Sequence, residues 1–150
     1  MLLGRLRAAR LGLPGLTQVR VAALLGVTIG TFRAWEAARL SPTLPHLIRW
    51  CRIVGLRLAV VDLSGAERDP QLEPRDGETW EQAEMRRVAA ALKEARVQRS
   101  MTQRRLICVL GVALSSLTSW ECGAGHPRTL SLLTWADAVG CVIQVRPAWR

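Results

Sequence analysis

Asparagine and tyrosine are missing from this 150-residue chain, and Lys93 is its only lysine. Acidic residues are also scarce, 12 against 21 Lys+Arg, which leaves a formal charge of +9 carried almost wholly by arginine. That bias reads as a preference for GC-rich codons rather than a basic tail. No uncharged apolar run approaches the roughly 18 residues that a membrane span requires, so a membrane protein is excluded. Arg5, Arg7 and Arg10 interrupt the apolar residues of positions 1 to 15, which removes a signal-peptide core and predicts a cytoplasmic protein. A hydrophobic share of 49% is too high for a disordered chain and normal for one or two small soluble domains.

Paired metal-ligand spacing is lacking too. Cys51, Cys108, Cys122 and Cys141 stand alone, and Cys122 with His126 offers two ligands where zinc needs four. Reduced core cysteines are the simpler reading. No nucleophile, base and orienter come together in a recognisable pattern, and no phosphate-binding loop is visible. The sequence therefore predicts neither an enzyme nor a metal or other cofactor.

What is present is a charge pattern. Residues 1–62 carry +7 and residues 80–150 carry +5, while residues 63–79 between them carry −3. The middle segment combines Ser64, Gly65, Pro70, Pro74 and Gly77 with few apolar residues such as Ala66 and Leu72, so it is expected to be an exposed acidic linker. The domain limits follow as 1–62, a linker over 63–78, and 79–150.

The two flanking blocks are copies. Thr17 placed on Thr102 fixes an offset of 85 residues, and it runs without a gap to Val60 on Val145. Thr17, Gln18, Arg20, Leu25, Gly26, Val27, Trp35, Glu36, Pro42, Leu47, Trp50, Val54 and Gly55 recur at the same offset. Leu6 and Arg10 match Leu92 and Arg96 after a one-residue shift. Within each copy the apolar spacing predicts helices. The first is marked by Leu2, Leu3, Leu6, Ala9 and Leu13, or by Met85, Val88, Ala89, Leu92 and Ala95, with Thr79 and Gln82 as a capping box. A second helix starts at Thr17 or Thr102, turns inward Val21, Leu24 and Leu25 or Leu106, Val109 and Leu110, and stops at Gly26 or Gly111. A third spans 28–36 or 113–121, and a fourth carries Leu47, Ile48, Trp50 and Cys51 or Leu132, Leu133, Trp135 and Ala136. Each copy ends in a β-branched strand, 56–61 and 141–145.

Thr, Gln, an apolar helix, Leu-Gly-Val, eight residues and then Trp-Glu resembles the lambda-repressor/Cro-like helix-turn-helix family, also called the xenobiotic-response-element family, and it occurs twice. The resemblance implies a mainly α fold of two repeated helix-turn-helix bundles, each followed by a short strand that can pair with the other. It makes double-stranded DNA the expected partner and 28–36 and 113–121 the recognition helices. Position by position it assigns DNA contacts to Gln18, Thr28, Ile29, Gly30, Arg33 and Ala34, and to Gln103, Leu114, Ser115, Thr118 and Ser119. Phosphate contacts fall to Arg20, Arg39, Arg104, Arg105 and Arg128, and structural ion pairs to Arg10 with Glu36 and Arg96 with Glu121. Among the outward positions only Arg33 has the donor fork that reads guanine. The implied function is a DNA-binding transcriptional regulator acting as a single-chain pseudo-dimer with two unlike recognition helices. The alternative from another class is an antitoxin-like or phage-type adaptor that binds a protein partner through Ile29, Gly30 and Ala34. Homodimerisation stays open.

Overall fold

The computed structural model describes residues 1–148; Trp149 and Arg150, the last two positions of the second copy, lie outside the described residues. The first copy folds as α1 (Leu2–Leu11), α2 (Gln18–Leu25), α3 (Ile29–Glu36), α4 (Leu44–Ile53) and β1 (Leu56–Asp62). A two-residue strand, β2 (Glu67–Arg68), follows. The second copy repeats the order as α5 (Trp80–Gln98), α6 (Gln103–Leu110), α7 (Leu114–Glu121), α8 (Thr129–Ala138) and β3 (Cys141–Pro147). Among the described residues no helix is long and apolar enough to cross a membrane.

Local chemistry sets the helix starts. Thr17, Thr28, Thr43, Thr79 and Thr102 each accept a hydrogen bond from the backbone N–H three residues on, satisfying a donor that the first turn leaves free. Thr79 and Gln82 form the reciprocal capping box. The counterparts of Thr28 and Thr43 are Ala113 and Arg128, which make no side-chain cap, so the second copy begins α7 and α8 without that support. Gly26 and Gly111 close α2 and α6 at φ +70° and +66°, a left-handed conformation that costs other residues a steric clash.

β1 and β3 pair antiparallel, and their register is informative. Ala59 lies opposite Gln144, its own counterpart at the 85-residue offset, so every pair along the ladder is mirrored about that point. Thr43 bridges Arg128, again its own counterpart. Beside this bridge the buried Thr129 hydroxyl donates to the Pro42 carbonyl at 2.6 Å. The strands and the α4 and α8 starts thus share one two-fold relation within a single chain.

The two copies do not keep separate cores. α1 of the first copy packs on β3 of the second, and α5 of the second packs on β1 and α4 of the first. One hydrophobic cluster consequently contains Leu6, Phe32, Leu47, Trp50 and Leu58 together with Leu92, Leu106, Leu117, Leu132 and Trp135. α5 is 19 residues long against 10 for α1, and its extra turns fasten onto the first copy. There the Arg52 guanidinium stacks 4.6 Å from the Trp80 ring centroid, and Arg87 Nη2 donates to the Leu58 carbonyl at 2.5 Å.

Two expectations of burial, for apolar helix positions and for the cysteines, need correction. The acidic segment, expected as an exposed linker, is exposed over most of its length and is also pinned as a strap: β2 adds to the outer edge of β1, with Val60 opposite Arg68 and Val61 opposite Glu67. Glu67 accepts from Arg57 and, at 3.0 Å, from Arg146, while Arg86 donates to both Glu78 oxygens at 2.7 and 2.9 Å. Its charge, which suggested solvation, is what ties it down. Leu13, Leu24 and Val109 are exposed, because α1 ends at Leu11 and an eight-residue helix buries a narrower stripe than the spacing suggested. Of the cysteines, Cys51 and Cys141 are core residues, and burial pushes the Cys51 thiol up to about 12; Cys108 and Cys122 are exposed.

Acid should release the strap. The Arg57 hydrogen bond holds the Glu67 carboxyl below its ordinary range against the opposing effect of burial, and Arg146 adds to it. Glu78 is lowered first by its hydrogen bond from Arg86, and Asp62 by that from the Ser64 hydroxyl. A carboxyl whose pKa is lower folded than unfolded stabilises the fold fully above the unfolded value, and loses that contribution as pH falls through the folded one. Amide exchange over 63–79, corrected for intrinsic rates, is therefore expected to stay protected at neutral pH and to accelerate below the ordinary Glu value of about 4.3. Protection unchanged down to that acid range would show that these ion pairs do not hold the strap.

Candidate nucleic-acid interface

The best-organised polar cluster of each copy lies where α2 meets α3, and α6 meets α7. Arg10 reaches from α1 to Glu36 at the end of α3, with Nε to Oε2 at 2.6 Å and Nη2 to Oε1 at 2.9 Å, while Nη1 donates to the Leu16 carbonyl at 3.1 Å. Arg96 repeats this on Glu121 at 2.7 and 3.0 Å and on the Met101 carbonyl at 2.7 Å. All four side chains are buried, so each fork pairs a guanidinium and a carboxylate away from water. The expected first-to-third-helix ion pairs are present in both halves.

Gln18 and Gln103, placed in the first turns of α2 and α6 by their threonine caps, point inward to these pairs. Gln18 Nε2 donates to Glu36 Oε1 at 2.7 Å, and Gln103 Nε2 to Glu121 Oε1 at 2.8 Å. In the first copy the network continues outward, because Arg33 Nε donates to Gln18 Oε1 at 3.2 Å. Sequence reasoning assigned Gln18 a DNA contact and missed this link. Its only signal was that a glutamine recurs at both positions.

The remaining positions divide by exposure. Gly30, Arg33, Ser115 and Thr118 are exposed, Leu114 is 37% exposed, and Ser119 is half-buried. Thr28 is spent on its cap, accepting from the Thr31 N–H and donating to the Thr31 hydroxyl at 2.9 Å. Ile29 is half-buried against the core, and Ala34 is buried at 8% exposure. Ala34 is thus not an outward position, and its carbonyl accepts from the Arg39 and Leu40 N–H groups of the loop that follows.

Arg20, Arg39, Arg104, Arg105 and Arg128 are all exposed, and none enters an ion pair among the described residues. The halves differ after the third helix. Arg39 follows Ala38, whose φ of +56° is rare without glycine, whereas the counterparts are Gly123 and Ala124. Asp76, Glu78, Arg75 and Arg86 line a shallow cleft with Gly123 and Ala124, so the strap lies beside this loop of the second copy with charges of both signs.

His46 sits against Trp35 with ring centroids 5.4 Å apart, and its Nδ1 meets the Thr43 hydroxyl at 2.8 Å. Burial, with Arg49 nearby, lowers its pKa, which favours the neutral ring. No group of three or more metal-ligating side chains forms among the described residues. Set against known protein families, curated proteins and solved structures, the chain matches none.

Proposed function

We propose that the chain is a DNA-binding regulator in which two lambda-repressor-like helix-turn-helix units form a pseudo-dimer. The observation that carries this reading is the β1–β3 register, in which Ala59 faces its own counterpart Gln144 and the other pairs are mirrored about that point. A two-fold extended outward from this register would relate α3 to α7, and paired recognition helices meet half-sites roughly 34 Å apart on one face of a duplex. Unpaired arginines on both halves supply the cationic edge that backbone binding uses. α3 and α7 differ in sequence, so the preferred site is asymmetric.

Selection from random DNA followed by footprinting tests this. The expected result is an enriched site whose halves differ. A strictly palindromic consensus would remove the asymmetry, and an unenriched pool would remove sequence-specific binding. Arg105→Ala, a phosphate contact, is expected to weaken all duplexes alike and to reduce the salt slope of log K by about 0.9. A loss confined to one sequence would reassign it to base reading.

The adaptor reading needs an apolar face made by Ile29, Gly30 and Ala34. With Ala34 buried and Ile29 packed on the core, only Gly30 of the three is exposed, and glycine has no side chain to offer a partner.

A further inference from the structure

We infer that Gln18 is a positioning residue for Arg33, which makes the two halves unequal readers: the first presents a fixed guanidinium fork to a guanine edge, and the second grips the duplex through its backbone. The inference rests on the DNA-binding reading and deepens it. Glu36 is immobilised by two bonds from buried Arg10, and a carboxylate accepts hydrogen bonds only, so the Gln18 amide must turn its NH₂ group inward. That orientation leaves Oε1 facing outward as an acceptor, and Arg33 Nε occupies it at 3.2 Å. With Nε held, both Nη groups of this exposed side chain stay free of hydrogen bonds among the described residues. They are the atoms that form a bidentate pair with guanine O6 and N7. A tethered arginine has already lost much of the rotamer freedom that an untethered one surrenders on binding.

The second half contains the matched control. Gln103 makes the same inward bond to Glu121 at 2.8 Å, yet the counterpart of Arg33 is Thr118, so its Oε1 has no arginine to hold. Gln18→Ala and Gln103→Ala therefore remove the same structural bond, and only the first removes positioning.

The experiment uses the full chain on the site enriched from random DNA, with each guanine replaced in turn. Wild type is expected to prefer one guanine by roughly 5- to 150-fold, and Arg33→Ala to abolish that preference. Gln18→Ala is expected to cut the preference about fivefold or more toward the Arg33→Ala value, while its melting temperature and its affinity for an unrelated duplex fall no further than those of Gln103→Ala. Gln18→Met, which keeps side-chain length without the amide, is the second variant should the alanine form fold poorly, and the same loss is expected. Full preference in both Gln18 variants, with Arg33→Ala flat, overturns the positioning role alone. A wild type with no guanine preference, or an Arg33→Ala variant that retains it, overturns the positioning role together with the assignment of Arg33 as a reader.

Discussion

Residues 1–62 expressed alone will stay unfolded, with a far-UV circular dichroism spectrum of a coil and collapsed amide dispersion. In the intact chain β1 is the central strand, Leu58, Ala59, Val60 and Val61 are all buried, and β3, β2 and α5 from beyond residue 62 pack on the strand together with α4. Removing β3, β2 and α5 would strip both edges of that strand and the helix that packs on it. Trp50, fully buried in the shared cluster, would lose its enclosure as well. About 60 residues is marginal for any domain, and a fragment carrying +7 with half its core missing falls below that margin. For the same reason the whole chain should melt in one transition, with tryptophan fluorescence and circular dichroism coinciding. A fragment with its own cooperative melt, or an intact chain with two, would show that each copy is self-sufficient.

The second large effect concerns the buried forks. Glu36→Ala leaves the Arg10 guanidinium buried without its carboxylate and Gln18 without an acceptor, and is expected to cost about 3 to 5 kcal/mol. Glu121→Ala should cost a similar amount through Arg96 and Gln103. A typical domain has about 5 to 15 kcal/mol in all, so either variant takes a large share of the stability. Replacing both partners, Arg10→Met with Glu36→Leu, should recover most of the loss, because an apolar pair leaves no orphaned charge. Urea midpoints at constant slope provide the measurement. A loss under about 1 kcal/mol in Glu36→Ala would mean that water reaches the pair and screens it as at a surface.

How much of this was readable beforehand depended on distance along the chain. The caps, Gly26 and Gly111, and the strand segments depend on residues within one turn of each other, and they stand where the spacing put them. The ion pairs span about 25 residues, and they were legible through the family resemblance, whose arginine and glutamate positions are filled in both copies. The strap was not legible. Glu67 finds Arg57 on the preceding strand and Arg146 79 residues away, and no local rule connects an acidic run to arginines on two strands. Ala34 failed for a different reason: its place on α3 matched an outward site by analogy, while the folded chain buries it. Arg33 and Gln18 were each noticed singly, but 15 residues separate them and their bond exists only once α2 and α3 cross.

The Ala59–Gln144 centre has a consequence for how the molecule behaves in solution. Where two separate chains pair across such a point, dilution pulls them apart, and every substitution near the axis is made twice. Here both strands belong to one polypeptide, so the union is first order and survives at any concentration at which the chain itself folds. Either side of the axis is also free to change without its counterpart. Arg57 opposite Arg146, a repulsive cross-strand couple relieved by one glutamate, is an arrangement that a chain paired with its identical twin could not hold in a single asymmetric form.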